Sequence, residues 1–181
     1  MHQMLELFDP YNLSKSASTY NPSKLEWLNA HYIKTLPFER LADDMLYFGL
    51  DFRAINKGQM LLDLLRERSK TLLELKASAL AIINQPTDYD QNAVKKFIND
   101  DNKLLLSEFA NSLGNADMDA KAIEEMTNEF LTQKGKKLKD LAQSIRIAIT
   151  GSAVSPSIFE VIEFIGLDEL KSRIQNFLKS L

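Results

Sequence analysis

Apolar residues recur at helical spacing along nearly the whole chain. Leu25, Leu28, Tyr32 and Leu36 form one stripe that stops at Pro37, whose ring does not fit the interior of a helix. Asn21 and Pro22 open that helix, an N-cap followed by the residue pre-set for the first helical position. A second helix is predicted over about 38–48, ending at Gly49. Met60, Leu61, Leu64 and Leu65 start a third, carrying Arg66, Arg68 and Lys70; Leu72, Leu75, Ala79, Ile82 and Ile83 continue its spacing toward Pro86. Gln85-Pro86-Thr87-Asp88 joins a helix breaker to polar turn residues and reads as the linker.

Beyond it come Val94, Phe97 and Ile98, then Leu104, Leu105, Phe109 and Leu113, with Gly114 expected as the left-handed residue that ends the helix. Asp119 is placed to cap Ile123, Met126, Phe130 and Leu131. Gly135 parts these from Leu138, Leu141, Ala142 and Ile145, and Gly166 parts the last two stripes, Ile158-Val161-Ile162-Ile165 and Leu170-Ile174-Phe177-Leu178. No strand-like alternation and no repeat of 30–45 residues is visible. The expected fold class is all-α, two small helical bundles. At the start, a short apolar piece (Met4, Leu5, Leu7, Phe8) ends near Asp9-Pro10, and a polar stretch runs from Asn12 to Thr19. This opening reads as a chain entered partway through a domain, with Met1 an artificial start.

Composition narrows the picture only a little. At 181 residues, 45% hydrophobic and 26% charged, the chain is long enough to bury a core as one good-sized domain or two small ones. The absence of Cys excludes disulfides and thiolate metal sites and suits a reducing compartment. No apolar run approaches a membrane span, and no signal pattern opens the chain. A net charge of −3 argues against a general nucleic-acid coat, but leaves room for a local basic footprint. Residues 132–150 carry such an imbalance: Lys134, Lys136, Lys137, Lys139 and Arg146 against Asp140.

The stretch from Gln143 to Glu160 holds the most specific chemistry. An apolar segment carrying Arg146 stops at Thr150-Gly151 and restarts as a helix that Ser155 and Pro156 are expected to open as cap and first residue. Helix, tight loop, helix start and one nearby cation make a site for phosphate or a base edge. By spacing alone, a solvated or core-bracing Arg beside a structural turn is the commoner meaning.

The residues go further. Arg146-Ile147-Ala148-Ile149-Thr150-Gly151, followed by Ser155-Pro156 and Phe159-Glu160, resembles the C-terminal signature of bacterial glutamyl-tRNA synthetases. Lys15-Ser16 and Lys24-Leu25-Glu26-Trp27-Leu28-Asn29-Ala30-His31-Tyr32-Ile33-Lys34 resemble a second segment of that family, in family order. Neither of the family's ATP-site motifs is present. The resemblance implies the end of a stem-contact region over about 1–32 and two anticodon-binding bundles over 33–88 and 89–181. It implies base contacts from Gln143, Arg146, Thr150 and Ser155, with Ile158 packing on a base, and a segment holding Asn29, His31 and Lys34 near the inner corner of the tRNA. Arg68 falls where synthetases that discriminate carry an Arg reading the third anticodon base, C for Glu against G for Gln; one planar guanidinium fork can separate these. Lys34, Lys136, Lys137 and Lys139 are the implied backbone contacts. Asn128 departs from the pattern, standing where some relatives have an RNA-contacting Arg.

So the resemblance implies a cytoplasmic, monomeric tRNA(Glu)-recognition fragment of a glutamate-tRNA ligase, with no DNA or membrane partner. The ATP and Mg2+ of the parent enzyme would act elsewhere. The residues themselves offer no nucleophile–base pair, no metal-ligand spacing and no phosphate-cradling glycine loop, so no catalytic site, cofactor or metal is expected in this stretch. Arg66-Glu67-Arg68 by itself is an ordinary charged helix face, and Trp27 reads as a core residue. A helical protein–protein adaptor and a free-standing tRNA-binding paralogue stay open as alternatives; steep salt dependence marks an RNA footprint, whereas an apolar groove hardly responds.

Overall fold

Side-chain caps set half of the helix starts. In the computed structural model, which describes residues 6–12 and 19–181, Asn21 accepts the Lys24 N–H at 3.2 Å and opens α1 (Pro22–Thr35). A short 3-10 turn at Pro10–Asn12 precedes it, and Lys15 and Ser16 lie outside the described residues. There follow α2 (Phe38–Tyr47), α3 (Gly58–Arg66), α4 (Leu72–Ile83), α5 (Gln91–Phe97) and α6 (Asp100–Ser112). The chain continues through α7 (Ala120–Gln133), α8 (Leu138–Thr150), α9 (Ile158–Ile165) and α10 (Leu167–Lys179). Asp90, Asn99 and Asp119 cap α5, α6 and α7 as short polar residues should. No strand occurs among the described residues, so the all-α expectation holds.

Three local expectations need correction. The helix predicted to run from Met60 toward Pro86 is two helices. Thr71-Leu72-Leu73-Glu74 is a capping sequence: Thr71 Oγ1 accepts the Glu74 N–H at 3.1 Å, and the Glu74 carboxylate accepts the Lys70 N–H at 2.8 Å. Those bonds stop the continuous helix and leave Arg68 in the turn between α3 and α4. Gly114 is not left-handed; α6 ends at Leu113, already extended at φ −68°, ψ 129°. The stripe on α1 is largely solvent-facing, for only Ile33 of that helix is buried. Trp27, expected in the core, is 67% exposed and stacks on His31 with ring centroids 5.9 Å apart.

The buried side chains form one connected apolar cluster from Ile33 to Phe177. Helices α6, α8 and α10 pack on one another, α7 packs on α9, and α3 on α4; α9 and α4 carry contacts between the first four helices and the rest. Two arginines lock this arrangement. Arg66 donates to the Ile33 and Leu36 carbonyls, tying the end of α1 to α3. Arg173 on α10 is 1% exposed. It donates to Ile82 O (2.9 Å), Ile83 O (3.1 Å) and Ile149 O (2.8 Å), and pairs with Glu169 at 2.7 Å. Those carbonyls belong to the last turns of α4 and α8, where helices leave acceptors without partners and their dipoles favour a cation. One guanidinium therefore terminates two helices from opposite sides of residues 85–88.

Candidate nucleic-acid interface

On α8, Lys139, Gln143, Arg146 and Thr150 are spaced by four, three and four residues, which puts them on one face. The helix ends at Gly151, whose φ of +73° is a left-handed conformation that suits glycine. A Cβ there would lie 2.7 Å from the Asp88 carbonyl oxygen, and Asp90 N–H donates to Gly151 O at 2.8 Å. The predicted linker is thus seated directly on the turn after α8. Thr150 Oγ1 donates to Arg146 O at 2.9 Å, holding the last turn of the helix.

Ser155 is not a helix cap. The cap position is Ser157, without a side-chain bond, and α9 begins at Ile158; Pro156 is buried in the loop. The Ser155 hydroxyl instead accepts from Arg146 Nε at 3.0 Å and donates to Pro156 O at 3.0 Å. Its carbonyl accepts from Arg68 Nη1 at 3.3 Å. Two guanidiniums, from the α3–α4 turn and from α8, therefore converge on one residue. Arg68 and Ser155 line a cleft of about 250 Å³ together with Ser78, Ile82, Thr150 and Val154, and Arg146 is joined to it through its bond to Ser155.

The electrostatics of this cleft are unbalanced. Neither Arg68 nor Arg146 has an ion pair among the described residues, unlike Arg53, Arg66 and Arg173. Burial, and then the positive charge of Arg68, hold the Arg146 guanidinium below the usual arginine range. Like charges held together without an acid favour an incoming electron-rich group: a phosphate, or a base edge rich in acceptors.

A second recess of about 300 Å³ adjoins the other end of the same α8 face, bordered by Lys96, Asn99, Lys136, Lys139 and Gln143. Lys136 and Lys139 are exposed and without ion pairs among the described residues; Lys137 is exposed too, but lies outside the recess. Gln143 borders the recess, and its Oε1 is buried and has no hydrogen-bond partner among the described residues.

The remaining expected contacts sit elsewhere. Lys34 pairs with Glu67 at 3.2 Å across exposed surface. Ile158 is 4% exposed and belongs to the core, so its side chain does not present a surface to a base. The sequence did not single out Lys96, Asn99 or Ser78; the only sequence signal for Lys96 is the Lys95-Lys96 pair at the end of α5. Among the described residues no group of three or more His, Cys, Asp or Glu converges as metal ligands.

Comparison with known proteins gives one direction throughout. Residues 3–178 match a family described as anticodon binding domain. The chain is 64% identical over 181 residues to glutamate–tRNA ligase 2 of Campylobacter fetus, covering 100% of this chain and 39% of that protein. It is 61% identical over 179 residues to glutamate–tRNA ligase 2 of Campylobacter concisus, covering 99% and 39%. It therefore spans about two fifths of the length of the curated relatives it matches. Among solved structures, a glutamate tRNA ligase from Elizabethkingia meningosepticum superposes with a TM-score of 0.86 at 21% identity, covering 99% of this chain and 36% of that one. The glutamate-tRNA synthetase of Elizabethkingia anophelis gives 0.81 at 20% identity, covering 98% and 36%. These two show the fold.

Proposed function

The chain belongs to the anticodon-binding domain family, and from that premise we propose that it holds the anticodon loop of tRNA(Glu) and reads its bases in the cleft between the α3–α4 turn and α8. The observation that carries this reading is the convergence of Arg68 and Arg146 on Ser155 with no carboxylate to neutralise them. Anticodon bases, once unstacked, expose edges that Arg, Gln and hydroxyl groups can pair with. Arg146 and Ser155 are mutually braced, so the guanidinium is pre-aimed. Arg68, in an exposed turn and bonded to the Ser155 carbonyl at 3.3 Å, reaches the third anticodon base. Thr150 and Gln143 extend the contact along α8, and Lys136, Lys137, Lys139 and Lys34 face phosphates. The whole proteins it is similar to are named glutamate–tRNA ligases. In our reading a cytoplasmic, monomeric enzyme of that kind charges tRNA(Glu) with glutamate using ATP and Mg2+. The division near residue 88 is part of the reading, placing the base-reading cleft where the two bundles meet.

The test is a calorimetric titration of the chain with tRNA(Glu) and with the same tRNA carrying G as third anticodon base. Weaker binding of the G variant, with loss of that preference in Arg68→Ala and general weakening in Arg146→Ala, supports the reading. Unchanged affinity in Arg146→Ala, with the fold intact, refutes it. The exposed apolar face of α1 is what the adaptor alternative would use; binding that ignores salt would favour it.

A further inference from the structure

Helix α1 buries only Ile33, so polar bonds do much of the work of holding it to the fold. Among the described residues, each side-chain bond that joins α1 to another element falls between Arg66 and Lys70. Asn29 Nδ2 donates to the Lys70 carbonyl, Lys34 pairs with Glu67 at 3.2 Å, and Arg66 donates to Ile33 O. Asn29 and Ile33 are four residues apart and share the helix face turned to this segment. Arg68 stands inside the bracket, one residue after Glu67 and two before Lys70. Its own N–H donates to Leu65 O at 3.1 Å, and the buried Ser69 hydroxyl donates to the same carbonyl at 3.0 Å. On the far side, Glu74 accepts the Lys70 N–H at 2.8 Å, and Asn29, 41 residues earlier in the chain, supplies the donor for the Lys70 carbonyl. The backbone is thus fastened on both sides of Arg68.

We propose that Asn29 is a positioning residue for base selection: by fixing the Lys70 carbonyl it holds the turn in the conformation from which Arg68 reads the third anticodon base. The proposal rests on the anticodon reading above. The Arg68 side chain makes a bond of 3.3 Å to Ser155 O, at the long end of the hydrogen-bond range, so the aim of its guanidinium depends on the backbone that carries it. A planar fork selects a base only when it is held in the right plane, and a turn that samples other conformations lowers apparent affinity by the fraction that is competent. The Lys34–Glu67 pair is exposed on both sides, 42% and 66%, and contributes little. Asn29 therefore bears the effect. It acts on one base, through one arginine, which a direct contact between Asn29 and the tRNA backbone would not do.

The test titrates the chain by calorimetry with an anticodon stem-loop RNA of tRNA(Glu) and with the same RNA carrying G as third anticodon base. In Asn29→Ala the preference for C over G falls about three- to tenfold, the worth of one hydrogen bond, through weaker binding of the C RNA alone. Ala is the better helix former and offsets the lost bond, so Tm stays within about 2 °C of the wild type. In an Arg68→Ala background, Asn29→Ala changes the affinity for neither RNA, because the two residues act as one unit. Thr35→Ala, an exposed position on the same helix whose hydroxyl bonds His31 O within it, leaves the preference unchanged. An unaltered preference in Asn29→Ala overturns the assignment. So does equal weakening of both RNAs, the mark of a direct contact, or a loss that persists in full without Arg68. A wild-type chain that binds neither RNA, or shows no preference for C, refutes the anticodon reading itself and this inference with it, before any Asn29 variant is compared.

Discussion

Replacing Arg173 by Met is the sharpest test of how the fold sets up its cleft. The substitution keeps most of the aliphatic stem and deletes the guanidinium. Three backbone carbonyls, Ile82, Ile83 and Ile149, then lose their donor inside the core, and Glu169 loses its partner. Hydrogen bonds to a charged group contribute about 1.5–3 kcal/mol each, which three such bonds would make a large total. Burying a guanidinium, however, costs several kcal/mol of desolvation that the variant no longer incurs. Removing one partner from a buried charged network typically destabilises by about 3–5 kcal/mol, and we expect Arg173→Met to fall there. Against a typical total stability of about 5–15 kcal/mol that is a large fraction. At about 2–4 °C per kcal/mol for a chain of this size, Tm should drop by about 6–20 °C. Urea unfolding followed by circular dichroism gives the free energy directly. Because Ile82 and Thr150 both line the cleft, RNA affinity should fall as well, even where the variant is fully folded. Arg173→Lys, a point charge that reaches fewer of the three carbonyls, should be intermediate. A destabilisation below about 1 kcal/mol would show that the two helix ends are held by packing alone, and would refute the reasoning.

The two arginines of Arg66-Glu67-Arg68 should separate cleanly: Arg66→Ala, which abandons the Ile33 and Leu36 carbonyls, costs about 2–3 kcal/mol in urea unfolding. Arg68→Ala leaves stability within about 0.5 kcal/mol, yet abolishes a preference of about 1–3 kcal/mol for C over G at the third anticodon base in paired titrations. Gly151→Ala forces a side chain into a left-handed backbone and against Asp88 O, and should cost about 2 kcal/mol or more by chemical unfolding. Burial raises the Tyr89 phenol above its ordinary value, only partly offset by Arg173. The neutral form is thus favoured in the fold, so its contribution is complete below the unfolded value near 10 and is lost as pH rises through the higher folded one. Ultraviolet titration of tyrosinate should show one late-titrating group that Tyr89→Phe removes.

The sequence determined the helices and where half of them begin. Asn21, Asp90, Asn99 and Asp119 cap through bonds only two or three residues long, and such local bonds are legible in one dimension. Even the break between α3 and α4 was written there, as Thr71 with Glu74 three residues on; continuous apolar spacing across the break hid it. The motif around Arg146 likewise announced a tight loop between two helices beside a cation, though not that Ser155 would turn to the guanidinium instead of capping α9. Only the tertiary structure decided which arginine does what. Arg66, Arg68 and Arg173 are alike in sequence context, each a cation at or near the polar face of a helix. Arg66 and Arg173 are consumed by carbonyls at the ends of α1, α4 and α8, 24 to 91 residues away, whereas Arg68, in the exposed α3–α4 turn, makes one bond of 3.3 Å to the Ser155 carbonyl. The same holds for α1, whose apolar stripe has no covering helix among the described residues, and for Gln143, left without a donor. Whether an apolar face is covered or a polar atom is paired depends on what distant chain folds over it, and helical periodicity carries no record of that.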